Sequence, residues 1–456
     1  MIKNIFKVFF SNGIIAVAGL ASSLLLPNIL SVEEYAEYQT FILYLGYATL
    51  FHFGFPNGLN IKYAGKNWEC IDKSQLKSEM RLLIITLIFF TILVSFVSMQ
   101  SKNNILILAT FMIFSYCYLN SLLQLLEAWG NFDLYFILRI LISAFPQLLP
   151  LIIYFLSNEV NSLIAILSYI VIYCMVSVVF VVYYHTVLKK YKSKKILSRE
   201  NLETEKIGFW FHMGSYINVL FNNIDKQFVQ WFCSVQEFSY FSFSLTLQHT
   251  MTIFLSAVGR PLFPYLATEK NIRHTGFTTV KRYLLMLGSA SGIAFFACCF
   301  VVERWIPTYI DSLNIIRVYF AVFPAMAVVN CMYFNLYKIR MLKERYIFDT
   351  FIMLILAILA NSIAVKLKYK NIGIAVATTI IYYIWLFYGT TIFKELKIDS
   401  HECFFLTAFL IIFIFIPLHF ETVPGMMVYF IADILICYVC FPHEIMALVK
   451  LVLRLL

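Results

Sequence analysis

Apolar runs of about 18–25 residues recur along almost the whole chain, separated by short polar gaps, and this pattern limits the fold more than any other feature. A helix rises about 1.5 Å per residue, so roughly 20 apolar residues cover the ~30 Å hydrocarbon layer of a bilayer. Composition excludes one large soluble core: of 456 residues, 61% are hydrophobic and 13% charged. Soluble domains run near 45–50% and about 25%, and a chain this apolar cannot clothe a soluble surface with polar groups. The pattern predicts an all-α polytopic membrane protein.

Fourteen spans are expected, at 8–30, 39–60, 82–99, 105–126, 136–156, 162–184, 208–232, 238–259, 283–302, 314–336, 347–365, 372–393, 403–419 and 424–442. The last pair is joined by a very tight turn containing His419, Glu421 and Pro424. Pro27, Pro56, Pro146, Pro261 and Pro324 lie inside spans or near their ends, where each frees a carbonyl and permits a bend. The first run is longer than the apolar core of a signal peptide and is followed by further spans, so it reads as span one.

Loop charge sets the orientation. With the N-terminus inside, inner segments collect 28 of the 35 Lys and Arg residues and outer segments only 5: Lys102, Arg304, Lys366, Lys368 and Lys370. This is the positive-inside pattern for an even span number with both termini cytoplasmic, and the lysines at 366–370 are its one violation. The net charge of +10 is spread over several loops, which fits membrane topology better than the basic face needed for nucleic acid. The ten cysteines are scattered and mostly apolar in context, so packing is their better reading.

The longest loop, 185–207, is strongly basic and separates six spans from eight. "LSVEEYAEYQTF" at 30–41 and "CSVQEFSYFSFS" at 233–244 follow the first span of each part at a constant offset of 203, matching Ser31 to Ser234, Glu34 to Glu237 and Tyr38 to Phe241. Duplication explains this position, and an even number of intervening spans gives both copies one orientation. The expected organisation is an N-lobe at 1–184, a basic cytoplasmic linker at 185–207, a C-lobe at 208–393 and an additional span pair at 394–456.

No GxxxxGK[ST] loop, HExxH motif, nucleophile elbow or large extramembrane domain is present in the sequence, which favours transport over catalysis. Ionisable residues inside spans are costly in lipid and mark cavities or partners. "NNIDKQ" at 222–227 supplies Asn223, Asp225 and Lys226. Asp225 and Lys226 point about 100° apart, so one can face a cavity while the other meets a neighbouring helix; a structural ion pair near the outer end of the span is the alternative. Arg260, just before Pro261, reads as an inner anchor or an anion contact. Arg317, about one turn into span ten, reads as a cavity residue or a snorkelling anchor. His212 and His249 are polar points on apolar helices, suited to cavity lining or to satisfied packing. Glu127 can pair with Arg139 or take part in ion coupling. Asn57 and Asn60 flank Gly58 in a polar break ending span two, and the small residues from Gly13 to Ser23 suit close helix contact. Tyr38, Phe41, Tyr44 and Tyr47 form a stripe at helical spacing that suits a cavity face or core packing.

The stretch "LSVEEYAEYQTFILYLGYATLFHFGFPNGLNIKYAGK" at 30–66 resembles the polysaccharide-biosynthesis membrane proteins. These are lipid-linked oligosaccharide flippases of the multidrug/oligosaccharidyl-lipid/polysaccharide exporter superfamily. The match rests on Leu30, Ser31, Glu33, Glu34, Tyr35 and Tyr38, with Ala36 where the family usually has Gly, and on Asp225-Lys226 near the end of span seven. It is specific over roughly 40 residues and agrees in layout over the rest.

The resemblance implies a MOP-type bundle of about fourteen (12–14) transmembrane helices, in two pseudo-symmetric six-helix lobes plus a C-terminal pair. It implies a non-enzymatic flippase that moves undecaprenyl-pyrophosphate-linked oligosaccharide from the inner to the outer leaflet of a bacterial cytoplasmic membrane. The pathway would be O-antigen, capsule or a related surface polysaccharide, driven by alternating access and an ion gradient, H+ or Na+. No other cofactor is expected. Partners would be the lipid-linked glycan, the bilayer, a polysaccharide polymerase and a chain-length regulator. A multidrug exporter of the same superfamily, a polymerase, an O-antigen ligase and a non-transporting scaffold are the competing readings. On the flippase reading Lys226 and Arg317 are candidates to hold the pyrophosphate.

Overall fold

Short polar residues cap the starts of several helices. The computed structural model describes residues 2–66, 68–268 and 274–455, and among them there is no β-strand. The chain divides into two compact units, 1–223 and 224–456. In the first, α1 (Ile2–Ile29) leads to α2 (Val32–Tyr47). Ser31 caps α2: its Oγ accepts from the Glu34 N–H at 3.2 Å, and the Glu34 carboxylate accepts from the Ser31 N–H at 3.0 Å. This capping box satisfies two amides that the first helical turn leaves unpaired. Ser234 and Glu237 make the same pair of bonds, at 3.2 and 2.9 Å, in the second unit. The sequence repeat is therefore a repeat of local structure.

After Tyr47 a 3-10 turn (Ala48–His52) ends at Phe53 and Gly54, whose φ values are +47° and +78°. Helix α3 (Phe55–Tyr63) then resumes with Pro56 in its first turn, so the second expected span is a broken helix. Helix α4 (Lys73–Gln100) is capped by Asp72, α5 (Asn104–Phe111) by Asn103, and α6 (Ile113–Ala128) continues α5. Helices α7 (Phe132–Ser143) and α8 (Phe145–Ser157) are bent by 50° ahead of Pro146. Helix α9 (Ser162–Leu188) follows an Asn161 cap, and α10 (Arg199–Phe232) runs from the first unit into the second. Both α9 and α10 enter the expected linker, which leaves a loop at 189–198.

The second unit continues with α11 (Val235–Thr268) and α12 (His274–Trp305). A broken span follows: a 3-10 turn (Pro307–Ser312), α13 (Leu313–Phe320), α14 (Phe323–Val328), a π turn (Val329–Tyr333) and α15 (Phe334–Ile339). Its halves bend by 50° just before Pro324, which lacks the N–H needed to continue the ladder. Helices α16 (Lys343–Lys366), α17 (Lys370–Ile392), α18 (Ser400–His419), α19 (Thr422–Cys440) and α20 (Pro442–Leu455) complete the chain.

Among the described residues nine helices are long and apolar enough to cross a membrane, or eleven if each bent pair is one span. The three other expected spans fall on α2–α3, α10 and α11, which are helical but carry more polar side chains. The apolar exterior supports a membrane setting: Ile85, Phe89, Ile92 and Phe96 form an exposed stripe along α4, while Leu76 and Leu87 of the same helix are fully buried. In water such a stripe would have no partner.

Candidate functional site

A set of polar groups from four helices surrounds Asp225 within the second unit's spans. Helix α10 carries this residue inward, where it is buried, and α13, α16 and α17 each bring one donor to it. Asn361 Nδ2 donates to Oδ1 at 2.8 Å, while Tyr319 OH, at 3.4 Å, and Thr378 Oγ1 donate to Oδ2. Tyr319, Asn361 and Thr378 are themselves buried. All three partners are neutral. Hydrogen bonds from neutral donors offset part of the cost of burying a carboxylate, but its charge remains uncompensated. A proton or a monovalent cation would complete the balance. Asn361 Oδ1 is also buried without a hydrogen-bond partner, which adds a carbonyl oxygen to the carboxylate and hydroxyl oxygens that hard cations prefer. Among the described residues no three His, Cys, Asp or Glu side chains gather as a metal site.

The other expected site residues are distributed differently. Lys226 turns away from the Asp225 cluster: its Nζ lies 5.8 Å from the Phe238 ring of α11, and its charge reaches His249, which is exposed on α11. Arg317 is half-exposed and donates to Asn314 Oδ1 at 2.8 Å within its own helix. It lies two residues from Tyr319, so it points about 160° away from the face that meets Asp225. Arg260 is on α11, and its side chain lies outside the described residues.

In the first unit, Asn223 donates to its own helix at Val219 O, at 2.9 Å. His212 is buried against His52, with ring centroids 4.4 Å apart, and its Nε2 has no hydrogen-bond partner. The two rings meet where α10 crosses the broken second span. A Cβ on Gly208 would lie 2.1 Å from Gly54 O, and one on Gly58 would lie 2.0 Å from Thr204 O. Only glycine admits that approach. Glu127 is exposed at the end of α6.

Sequence reasoning missed Tyr319, Asn361 and Thr378, which complete the Asp225 cluster. It also missed buried charge networks, among them one at Glu79, one at Lys281–Glu402 and one at Asp349, which Arg345, Tyr337 and Tyr388 surround. Glu79, fully buried on α4, accepts from Lys62 Nζ at 2.6 Å, Tyr63 OH at 2.5 Å and Gln75 Nε2 at 3.0 Å. Gln75 also donates to Asn201 on α10 at 2.6 Å, tying α3, α4 and α10 together. In the second unit Lys281 and Glu402, both 0% exposed, pair at 2.6 Å. Arg282 beside them bridges Asp399 and Glu444, each at 2.8 Å, holding the base of α12 to the starts of α18 and α20. Nothing at the sequence level separates these residues from other loop-edge charges.

No family model matches the sequence, and no curated protein matches it. Among solved structures, the fold is similar to that of the lipid II flippase MurJ in an inward closed conformation, with a TM-score of 0.70 and 15% identity over 96% of this chain and 98% of that one. A MOP superfamily transporter from Pyrococcus furiosus matches at a TM-score of 0.39 and 12% identity, over 87% of this chain and 94% of that one. A MATE structure in the straight conformation matches at 0.37 and 13%, over 86% and 96%. The first likeness shows the fold alone: the helical bundle of this chain is built like that of the lipid II flippase structure.

Proposed function

We propose that the protein is a flippase that moves undecaprenyl-pyrophosphate-linked oligosaccharide from the inner to the outer leaflet, for O-antigen, capsule or a related surface polysaccharide. The observation that carries this reading is the fold shared over nearly the full length with a protein described as a lipid II flippase. The residues at 30–66 add a local resemblance to polysaccharide-biosynthesis flippases. In this reading the protein spans a bacterial cytoplasmic membrane with both termini inside, as the distribution of lysine and arginine favours. It works beside a polysaccharide polymerase and a chain-length regulator.

The Asp225 cluster supplies the coupling site. A proton or Na+ neutralises the carboxylate, and its arrival and departure drive alternating access. The test is reconstitution of the purified protein in vesicles holding labelled lipid-linked oligosaccharide in one leaflet. Transfer to the other leaflet driven by a proton or sodium gradient is the expected result. Vesicles in which the glycan stays on its starting side, while a drug-sized cation is exported, would assign the chain to multidrug transport instead.

A further inference from the structure

Beyond its first turn, α20 stands apart from the bundle. Phe441, fully buried, packs its ring on Phe405 of α18 with centroids 4.9 Å apart, and Pro442 then opens the helix. Glu444 is buried as well: its carboxylate accepts from Arg282 Nη1 at 2.8 Å, and its carbonyl accepts from Tyr283 OH at 3.4 Å. These contacts clamp the start of α20 to the base of α12. From Met446 to Lys450 every residue is exposed, a run longer than one helical turn, so the helix is open on all sides there.

An open helix of this kind needs a cover. Nine of the 14 residues of α20 are apolar, and an isolated helix of that length is marginal in water. It is also too short to cross a bilayer, since 14 residues rise about 21 Å against the ~30 Å of hydrocarbon. Two observations say what covers it. Helix α19 reaches the bend with Leu435, Tyr438 and Val439 exposed, so the apolar exterior of the span runs directly up to α20, which adds exposed Met446, Leu448 and Val449. Residues 445–456 also hold two cations, Lys450 and Arg454, and no acid. Exposed Lys394 and Lys397 lie at the same end of the unit, on the turn whose carbonyls receive Lys281. Such an excess of positive charge repels a second copy of the helix and attracts an anionic surface.

We propose that α20 lies along the face of the bilayer leaflet at this end of the bundle, with its apolar residues at the acyl boundary and Lys450 among the headgroups of anionic phospholipids. With the N-terminus inside, this is the cytoplasmic leaflet. The surface serves whatever substrate the bundle moves, so it stands apart from the flippase reading. The test is amide exchange of residues 446–455 in the full chain, held in nanodiscs of phosphatidylcholine alone or mixed with phosphatidylglycerol. Wild type and Lys450→Gln/Arg454→Gln are compared in the same discs, so that the effect of the lipid on local pH is common to both. In anionic discs the double variant should lose about 10-fold or more in protection, and in neutral discs it should match wild type.

Equal protection of the two proteins in anionic discs overturns the proposal. Met446→Ser/Val449→Ser tests the apolar half: it should lower protection in both kinds of disc alike, and wild-type protection in that variant also counts against an interfacial seat. Discs loaded with one copy or two address self-association. Protection that rises with the second copy assigns the cover to another helix of this chain and removes the lipid. All four substituted positions lie beyond the clamp at Phe441 and Glu444, so the bundle keeps its wild-type thermal midpoint in each variant.

Discussion

Asn361 turns its amide nitrogen to Asp225 Oδ1, at 2.8 Å, and leaves its own carbonyl oxygen buried without a partner. That pairing makes Asn361 a reporter on the state of the carboxylate. Asp225→Asn removes the charge but keeps the shape, so vesicle transport should fall at least about 10-fold and lose its dependence on the driving cation. Asn361→Ala and Thr378→Val remove one oxygen each and should raise the cation concentration needed for half-maximal transport while leaving the maximal rate closer to wild type. The measurement is initial flipping rate over a series of sodium concentrations and of pH. An Asp225→Asn protein with the wild-type ion dependence would separate this cluster from coupling.

The crossing of α10 over the second span makes a different demand. Gly208→Ala places a methyl group 2.1 Å from Gly54 O, against backbone that cannot swing aside. Overpacking of this kind costs about 1–3 kcal/mol, and more where the obstacle is main chain. A lowered thermal midpoint in detergent, with Gly13→Ala close to wild type because its Cβ meets nothing within 4 Å, is the expected result. Equal midpoints for both variants would mean the crossing relaxes freely.

The buried pair Lys281–Glu402 should respond asymmetrically. Lys281→Met leaves the buried Glu402 carboxylate with only the longer Arg282 contact, at 3.4 Å, a loss of up to about 3–5 kcal/mol. The double variant Lys281→Met/Glu402→Leu removes both charges and should recover much of that. Chemical unfolding of the reconstituted protein compares the three. A double variant no more stable than the single one would show that the surrounding carbonyls of Leu396 and Lys397, which accept from Lys281 at 3.1 and 2.9 Å, matter more than the pair itself.

The bundle was legible in the sequence because lipid imposes one rule along its whole length: a spanning segment must be long, apolar and internally hydrogen-bonded. The repeated Ser-x-x-Glu box was legible for a similar reason, since Ser31 and Glu34 act over three residues of local chain. Asp225 stood out as a charge in an apolar run. Its partners did not, because Tyr319, Asn361 and Thr378 come from three separate helices and are individually ordinary residues in a membrane span. Which cations matter was equally hidden. Arg317 and Lys281 look alike in a charge map, yet the first bonds within its own helix and the second is fully buried against Glu402. Helix phase and the neighbours of each face decide between them, and a single sequence supplies only the phase.

The acid response of the C-terminal tie follows from Asp399, which lies just outside the span that begins at Ser400. Burial raises its carboxyl, but the Glu402 N–H and the Arg282 guanidinium outweigh that and hold it below the ordinary carboxylate value. A carboxyl whose folded value is depressed contributes stability that is complete above its unfolded value and is lost as pH falls through the folded one. Asp399 should therefore stabilise the attachment of α18 to α12 at neutral pH and progressively less below about pH 4. Thermal midpoints of wild type and Asp399→Asn should differ by a constant amount between pH 6 and 8 and converge toward pH 3. Because Arg282 also bridges Glu444 at 2.8 Å, the loosened end should include the start of α20, read as lower amide protection there, relative to the intrinsic exchange rate at each pH, in acid. A gap that widens as pH falls would reverse the sign and remove Asp399 from the tie.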